Sequence, residues 1–392
     1  MLQQLKLQSH KVGDTEVATG IDKIKQRDSN LELFRIITML LIIAHHYVVN
    51  SGLTSVGGPI YADAMSGRSI FLLLLGAWGK IGINCFVLIT GYFMCKSKIS
   101  LTKFLKLFLA VMFYRLVIYA IFLISGYEPF SLKSFVKTVI PIYMIGTNFT
   151  STYLVFFLFI PFLNILIGNM DERKHLLLIL LLSFTYVFMG TIPYFSVTMN
   201  YVSWYMVLYF IASYVRLYPK RIFDENRIVG WILSVLLVLD VASVLSCTWL
   251  GSKIGRNMSY GFVSDSNTLL AVLTGLFAFC FFKNLKIRYS KIINTVASTT
   301  FGVLLIHANS DTMRQWLWKD TLNNVGAYGL SWMPLHAIGS VLGVFIMCSL
   351  IDLVRIKCIE RPFFCLWSRK ESKLIAKWKA FEQKRLSSIG IE

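Results

Sequence analysis

Arg35 and His46 stand with ten residues between them in LELFRIITMLLIIAHHY, one of the most apolar stretches of the chain. On a helix, steps of about 100° per residue leave the two side chains only about 20° apart and roughly 16 Å apart along the axis. A guanidinium and an imidazole therefore share one stripe of a segment long enough to cross a membrane. An ionisable group there costs about 2.5–3.5 kcal/mol on insertion scales, so it is usually paired or functional. A histidine in a protein cavity can take a proton from a hydroxyl. A cation at the mouth of such a helix can hold a phosphate-bearing ligand. Together these suit acyl transfer from a CoA thioester to an alcohol, and they also suit a polar path for transport.

Other residues join or compete. Glu32 precedes Arg35 by three residues and can pair with it, while Arg35 can equally snorkel to a headgroup. Helical phase selects His46 over His45, which lies about 80° from Arg35. His307 comes about a dozen residues into a later apolar segment, STTFGVLLIHAN. At about 1.5 Å per residue it reaches a depth similar to that of His46, and Thr300 shares its face. Either histidine can also serve as an interhelical hydrogen-bonding group. Arg115 and Asp240 fall mid-span, and Asp240 is a candidate partner for Arg115. Tyr201, Trp204, Tyr205, Tyr209 and Tyr214 read as packing and interfacial surface.

The elements that must position these residues follow from composition. The chain has 392 residues, 56% hydrophobic and 15% charged, against about 25% charged in a soluble domain. This predicts an all-α, polytopic transmembrane helix bundle embedded in the lipid bilayer. About ten spans are expected, near 33–50, 70–94, 106–125, 149–168, 175–193, 200–217, 228–250, 266–282, 295–309 and 334–354. Phe135–Gly146, interrupted by Pro141, is too short to span and reads as interfacial or re-entrant. Cations gather in alternate loops, starting with Lys23, Lys25 and Arg27, a pattern that places both termini in the cytoplasm. The net charge of +19 is then mostly topology, and its dispersal argues against a nucleic-acid partner. The organisation expected is a polar segment over 1–30, a membrane domain over 31–358 and a basic tail over 359–392. Trp378 and Phe381 in that tail suggest a segment lying on the membrane surface. No cleavable leader is visible, no internal repeat stands out, and the seven cysteines lack metal-binding spacing, so neither zinc nor a structural disulfide is expected. The oligomeric state is left open.

Glu32, Arg35 and His46 resemble the opening signature of the bacterial membrane acyltransferase 3 family, whose members O-acylate surface polysaccharides and related glycans. GINCFVLITGYFM, with Gly82, Phe86, Gly91 and Tyr92, is similar to the family's second-helix pattern, with Thr90 where Ser is usual. TYLVFFLFIPFLNILI at 152–167 and SWYMVLYFIASYVRLYP at 203–219 resemble its middle helices. STTFGVLLIHAN at 298–309 resembles its late Phe-Gly-x-x-Leu-Ile-His segment. The ordered match runs over roughly 30–360. The resemblance implies an O-acyltransferase of the cytoplasmic membrane, moving an acyl group, acetyl foremost, from cytoplasmic acetyl-CoA to a hydroxyl of a cell-surface or lipid-linked glycan. His46 would be the base or a transient acyl carrier, and His307 would orient it, polarise the carbonyl or bind acceptor. Arg35 would hold the donor, with Glu32 fixing its rotamer. The alternative is a transporter or flippase of lipid-linked saccharides. Lys103 and Lys106 stand where many members carry paired arginines and offer point charge without a bidentate fork. The esterase-like domain that many members append is not expected here.

Overall fold

The computed structural model describes residues 28–368 except 98, 144, 146–147, 193–194, 196, 198–199 and 264. Lys23, Lys25, Arg27, Trp378 and Phe381 therefore lie outside the described residues. In lipid a backbone must satisfy its own N–H and C=O groups, and apolar runs without breakers do so as helices. The principal ones are α1 (Ser29–Val49), α2 (Gly67–Gly76), α3 (Gly79–Met94), α4 (Leu101–Ile124), the short α5 (Leu132–Val139) and α6 (Phe149–Gly168). They continue as α7 (Glu172–Ser183), α8 (Tyr201–Leu217), α9 (Asn226–Ile254), α10 (Leu269–Asn284), α11 (Lys291–Ala297), α12 (Thr300–His307) and α13 (Met333–Arg355). Side-chain caps set several starts: Ser66 accepts from the Ser69 N–H, Ser100 from Lys103, Asn148 from Thr150 and Ser151, and Asp171 from Lys174.

Each of the ten expected spans is helical, but they are not ten equal rods. Among the described residues seven helical stretches are long and apolar enough to cross a membrane. They are α1, α2 joined to α3, α4, α6, α7 with its continuation to Thr191, α9, and α13 with its continuation to Ser368. Helices α8 and α10 have 17 and 16 residues and are shorter. The expected span at 295–309 departs most. Lys291–His307 is followed by Asp311–Ala327 at a bend of 95°, a pair that counts as an eighth span at most. The chain thus turns directly after His307, where the Asn309 side chain donates back to the Leu305 carbonyl at 3.0 Å. Past that point Gln315–Thr321 forms a wide π turn, a feature often found beside functional sites.

Helix α1 is central. It packs on α2, α3, α10, α11, α12 and α13, and the buried apolar side chains form two clusters that meet along it. One gathers Ile43, Tyr47, Val303 and Val341 toward its C-terminal half. The other gathers Leu31, Phe34, Leu88, Trp204 and Phe279 toward its start. Gly79 permits the closest approach of α3: a Cβ there would lie 2.2 Å from Cγ of His45. Long amphipathic or apolar rods thereby hold the polar residues of α1 inside protein rather than lipid.

Candidate active site

His46 reaches across from α1 to the last residue of α12. Its Nδ1 lies 3.1 Å from Nε2 of His307, with ring centroids 5.2 Å apart. His45 points elsewhere, its Nδ1 2.6 Å from the Gly76 carbonyl. His46, the member of the doublet on the Arg35 stripe by helical phase, is thus the one that contacts His307.

The hydrogen bonds assign the protons. His307 Nδ1 lies 2.6 Å from the Val303 carbonyl one turn earlier. A carbonyl only accepts, so Nδ1 carries the hydrogen and a neutral His307 presents a lone pair at Nε2. His46 must then donate from Nδ1, which leaves the lone pair of His46 at Nε2. His307 is fully buried, with its ring edge-on to buried Trp318 at 6.5 Å. The geometry holds one imidazole so that the other keeps a basic nitrogen directed away from the pair.

Toward the start of α1, Nη1 of Arg35 lies 3.4 Å from Oε1 of Glu32, a buried carboxylate, while the Arg35 side chain keeps 26% exposure. The sequence-predicted pair is therefore formed, with the guanidinium retaining an open face. Tyr153 is 2.9 Å from Thr90 Oγ1, which itself donates to the Phe86 carbonyl at 3.0 Å, so Tyr153 is the donor to Thr90. Thr90 thus keeps the hydroxyl function of the more usual Ser.

Two groups escaped the sequence reading. Lys80 on α3 donates to Tyr201 Oη at 2.9 Å, with its ammonium 5.5 Å from that ring's centroid. The signal was present, since Lys80 interrupts the apolar run of the second span just as Arg35 interrupts the first. The second group joins α4 to α13. Tyr114 Oη donates to Asp352 at 2.8 Å, Arg355 Nε bonds the same carboxylate at 2.7 Å, and Arg355 Nη1 reaches Glu360 at 2.7 Å. This network lies below α12 and braces it rather than joining the histidines.

The candidate Arg115–Asp240 pair does not form. Arg115 donates to the carbonyls of Thr138 and Lys137 at the end of α5, so the short helix supplies its backbone oxygens. Asp240 accepts from Thr274 at 2.7 Å. The tyrosine-rich helix α8 is largely packing, as read from sequence: Trp204 donates to Asn84 and Tyr209 to Asn164. Tyr201, the exception, faces Lys80. Lys103 bonds Ser97 at 2.7 Å, and Lys106 lies 5.0 Å from the Phe364 ring centroid.

Comparison with known proteins bears on this arrangement. No curated protein and no solved structure gives a significant match. A family model described as an acyltransferase domain matches residues 28–352, from the residue before α1 to Asp352 in the network below α12. That range contains Glu32, Arg35, His46, Lys80 and His307, and it covers most of the chain: the protein belongs to the acyltransferase 3 family.

Proposed function

We propose that this membrane acyltransferase moves an acetyl group from cytoplasmic acetyl-CoA to a hydroxyl of a cell-surface or lipid-linked glycan. The observation that carries this reading is the His46–His307 contact, because it leaves an imidazole lone pair on His46 at the end of a stripe that begins at Arg35. Nε2 of His46 removes the hydroxyl proton as the acceptor oxygen attacks the thioester carbon. The C–S bond breaks, and the CoA thiolate leaves and takes up the proton from His46. His307 acts as a positioning residue that fixes the tautomer of His46.

Arg35 binds phosphate of the donor at the cytoplasmic end of α1, with Glu32 holding its rotamer. The pantetheine arm covers the roughly 16 Å along the helix between Arg35 and His46. A relay in which His46 itself carries the acetyl group uses the same lone pair and the same stripe. Lys103 and Lys106 offer point charges and Arg35 a planar fork, which favours Arg35 as the principal donor contact. The enzyme belongs on this reading in the cytoplasmic membrane, with its Arg35 end facing the cytoplasm.

Membranes containing the protein, supplied with acetyl-CoA radiolabelled in the acetyl group, should pass label to glycan or release it as acetate. A transporter of lipid-linked saccharides would leave the thioester intact, and no turnover above control membranes would overturn the reading. Mass spectrometry of surface glycans with and without the gene would then name the acceptor hydroxyl.

A further inference from the structure

Three cations inside the spans show how this bundle neutralises charge. Arg35 pairs with Glu32, Arg355 pairs with Asp352 and Glu360, and Arg115 donates to two backbone carbonyls. Lys80 on α3 differs. Among the described residues its ammonium meets no carboxylate, and its hydrogen-bond partner is the Tyr201 hydroxyl at 2.9 Å. A charge in a spanning helix is costly unless an opposite charge or water meets it, and such residues mark ligand paths.

The neighbours of Lys80 add to its sign. An ammonium has donors and no acceptor, so Tyr201 Oη accepts from it and keeps its own O–H free to donate. Tyr201 is the first of the 17 residues of α8, where the helix dipole is positive. One turn later Tyr205 is fully buried, and its Oη has no hydrogen-bond partner among the described residues. Its ring lies 5.8 Å from that of Tyr201, and long side chains on a helix lean toward the N-terminus. An ammonium, two phenol hydroxyls and a positive helix end thus gather without an anion of the chain.

The position of Lys80 along the bundle separates it from the donor's phosphates. Helices α1 and α3 pack antiparallel, since a Cβ on Gly79 would meet His45 and one on Gly82 would meet Ile42. Lys80 therefore stands level with His45, about 15 Å along α1 from Arg35. Asn200, just before Tyr201, is exposed, so the group opens at the histidine end of the stripe.

We infer that Lys80 and Tyr201 form an anion subsite for the acceptor, taking a phosphate or carboxylate carried near the hydroxyl that receives the acyl group. That the occupant is the acceptor rests on the acyl-transfer reading above. Arg35 holds the donor's phosphates at the other end of α1, so the anion at Lys80 belongs to the second substrate. A sugar phosphate or sugar acid gains a charge-assisted hydrogen bond there, and a neutral sugar does not.

The test follows reductive methylation of Lys80 by formaldehyde and cyanoborohydride on the full-length protein in nanodiscs, read by peptide mass spectrometry with exposed Lys253 as reference. Glucose 1-phosphate or glucuronate should slow methylation of Lys80 about tenfold, the scale of one charged hydrogen bond, and leave Lys253 unchanged. Stronger protection by the phosphate assigns a phosphate-linked acceptor, and stronger protection by glucuronate a sugar acid. Tyr201→Phe should weaken either protection. Protection by glucose equal to that by the anions, or by none of the three, would overturn the inference. Inorganic phosphate protecting as well as glucose 1-phosphate would mark a bare anion site and also overturn it, as would a Lys80 that stays unmethylated in the free protein. In acetyl transfer, the preference in kcat/KM for octyl glucuronide over octyl glucoside should vanish in Lys80→Met. Protection needs no turnover, so a failed transfer assay beside intact protection would remove the enzyme reading and leave the anion site standing.

Discussion

Gly302 on α12 faces Asp352 on α13 so closely that a Cβ on the glycine would fall 2.0 Å from the carboxyl carbon. Asp352 cannot easily withdraw, because Tyr114 and Arg355 both bond its Oδ1. The glycine of the Phe-Gly-x-x-Leu-Ile-His segment is thus a packing requirement that sets how α12 lies on α13. His307 is five residues further along the same short helix, so its position depends on that contact.

Gly302→Ala should therefore destabilise the protein by about 1–3 kcal/mol, the usual cost of overpacking a filled interior. Thermal unfolding in detergent, followed by tryptophan fluorescence, would measure it. An unchanged midpoint would show that the Asp352 network gives way without cost.

His46→Ala should lower acetyl transfer by about 10²–10⁴, the usual contribution of a general base, with membrane insertion and elution unchanged. His45→Ala should do far less. His307→Gln, whose amide oxygen can still accept from His46 Nδ1, should retain more kcat than His307→Leu, which leaves that donor unpaired. Equal losses in the two His307 variants would remove the tautomer argument.

Arg35→Lys keeps the charge and loses the planar fork. It should raise KM for acetyl-CoA roughly tenfold, the scale of one charged hydrogen bond, while KM for the acceptor stays put. Glu32→Gln should follow the same pattern more weakly. Steady-state kinetics with each substrate varied in turn gives the split, and an effect confined to the acceptor would reassign Arg35.

Lys80→Met removes a cation that bonds Tyr201 and that follows Gly79, the close-packing neighbour of His45. Transfer should fall by about tenfold or more, since charged hydrogen bonds in such sites are worth roughly 1.5–3 kcal/mol. Tyr201→Phe should cost less, because Lys80 keeps its charge. If Lys80→Met transferred acetyl at the wild-type rate, Lys80 would be an element of helix packing alone.

Sequence by itself determined the parts of this protein that depend on short-range geometry. Runs of apolar residues long enough to cross lipid must be helical, and a spacing of ten intervening residues must set Arg35 and His46 on one stripe. The same rule separated His46 from His45 and put Glu32 within reach of Arg35. The tertiary structure decided which distant surfaces meet. His46 and His307 are 261 positions apart, and only the packing of α1 on α12 brings their nitrogens within bonding distance. Arg115 meets the carbonyls of Lys137 and Thr138 at the end of α5, while Asp240 accepts from Thr274 on α10. Likewise the bend after His307, which ends an expected span, comes from how α12 meets α13 and the π turn. Periodicity records which face of a helix is apolar, whereas the partner of a buried polar group depends on shape complementarity between helices, which no local pattern encodes.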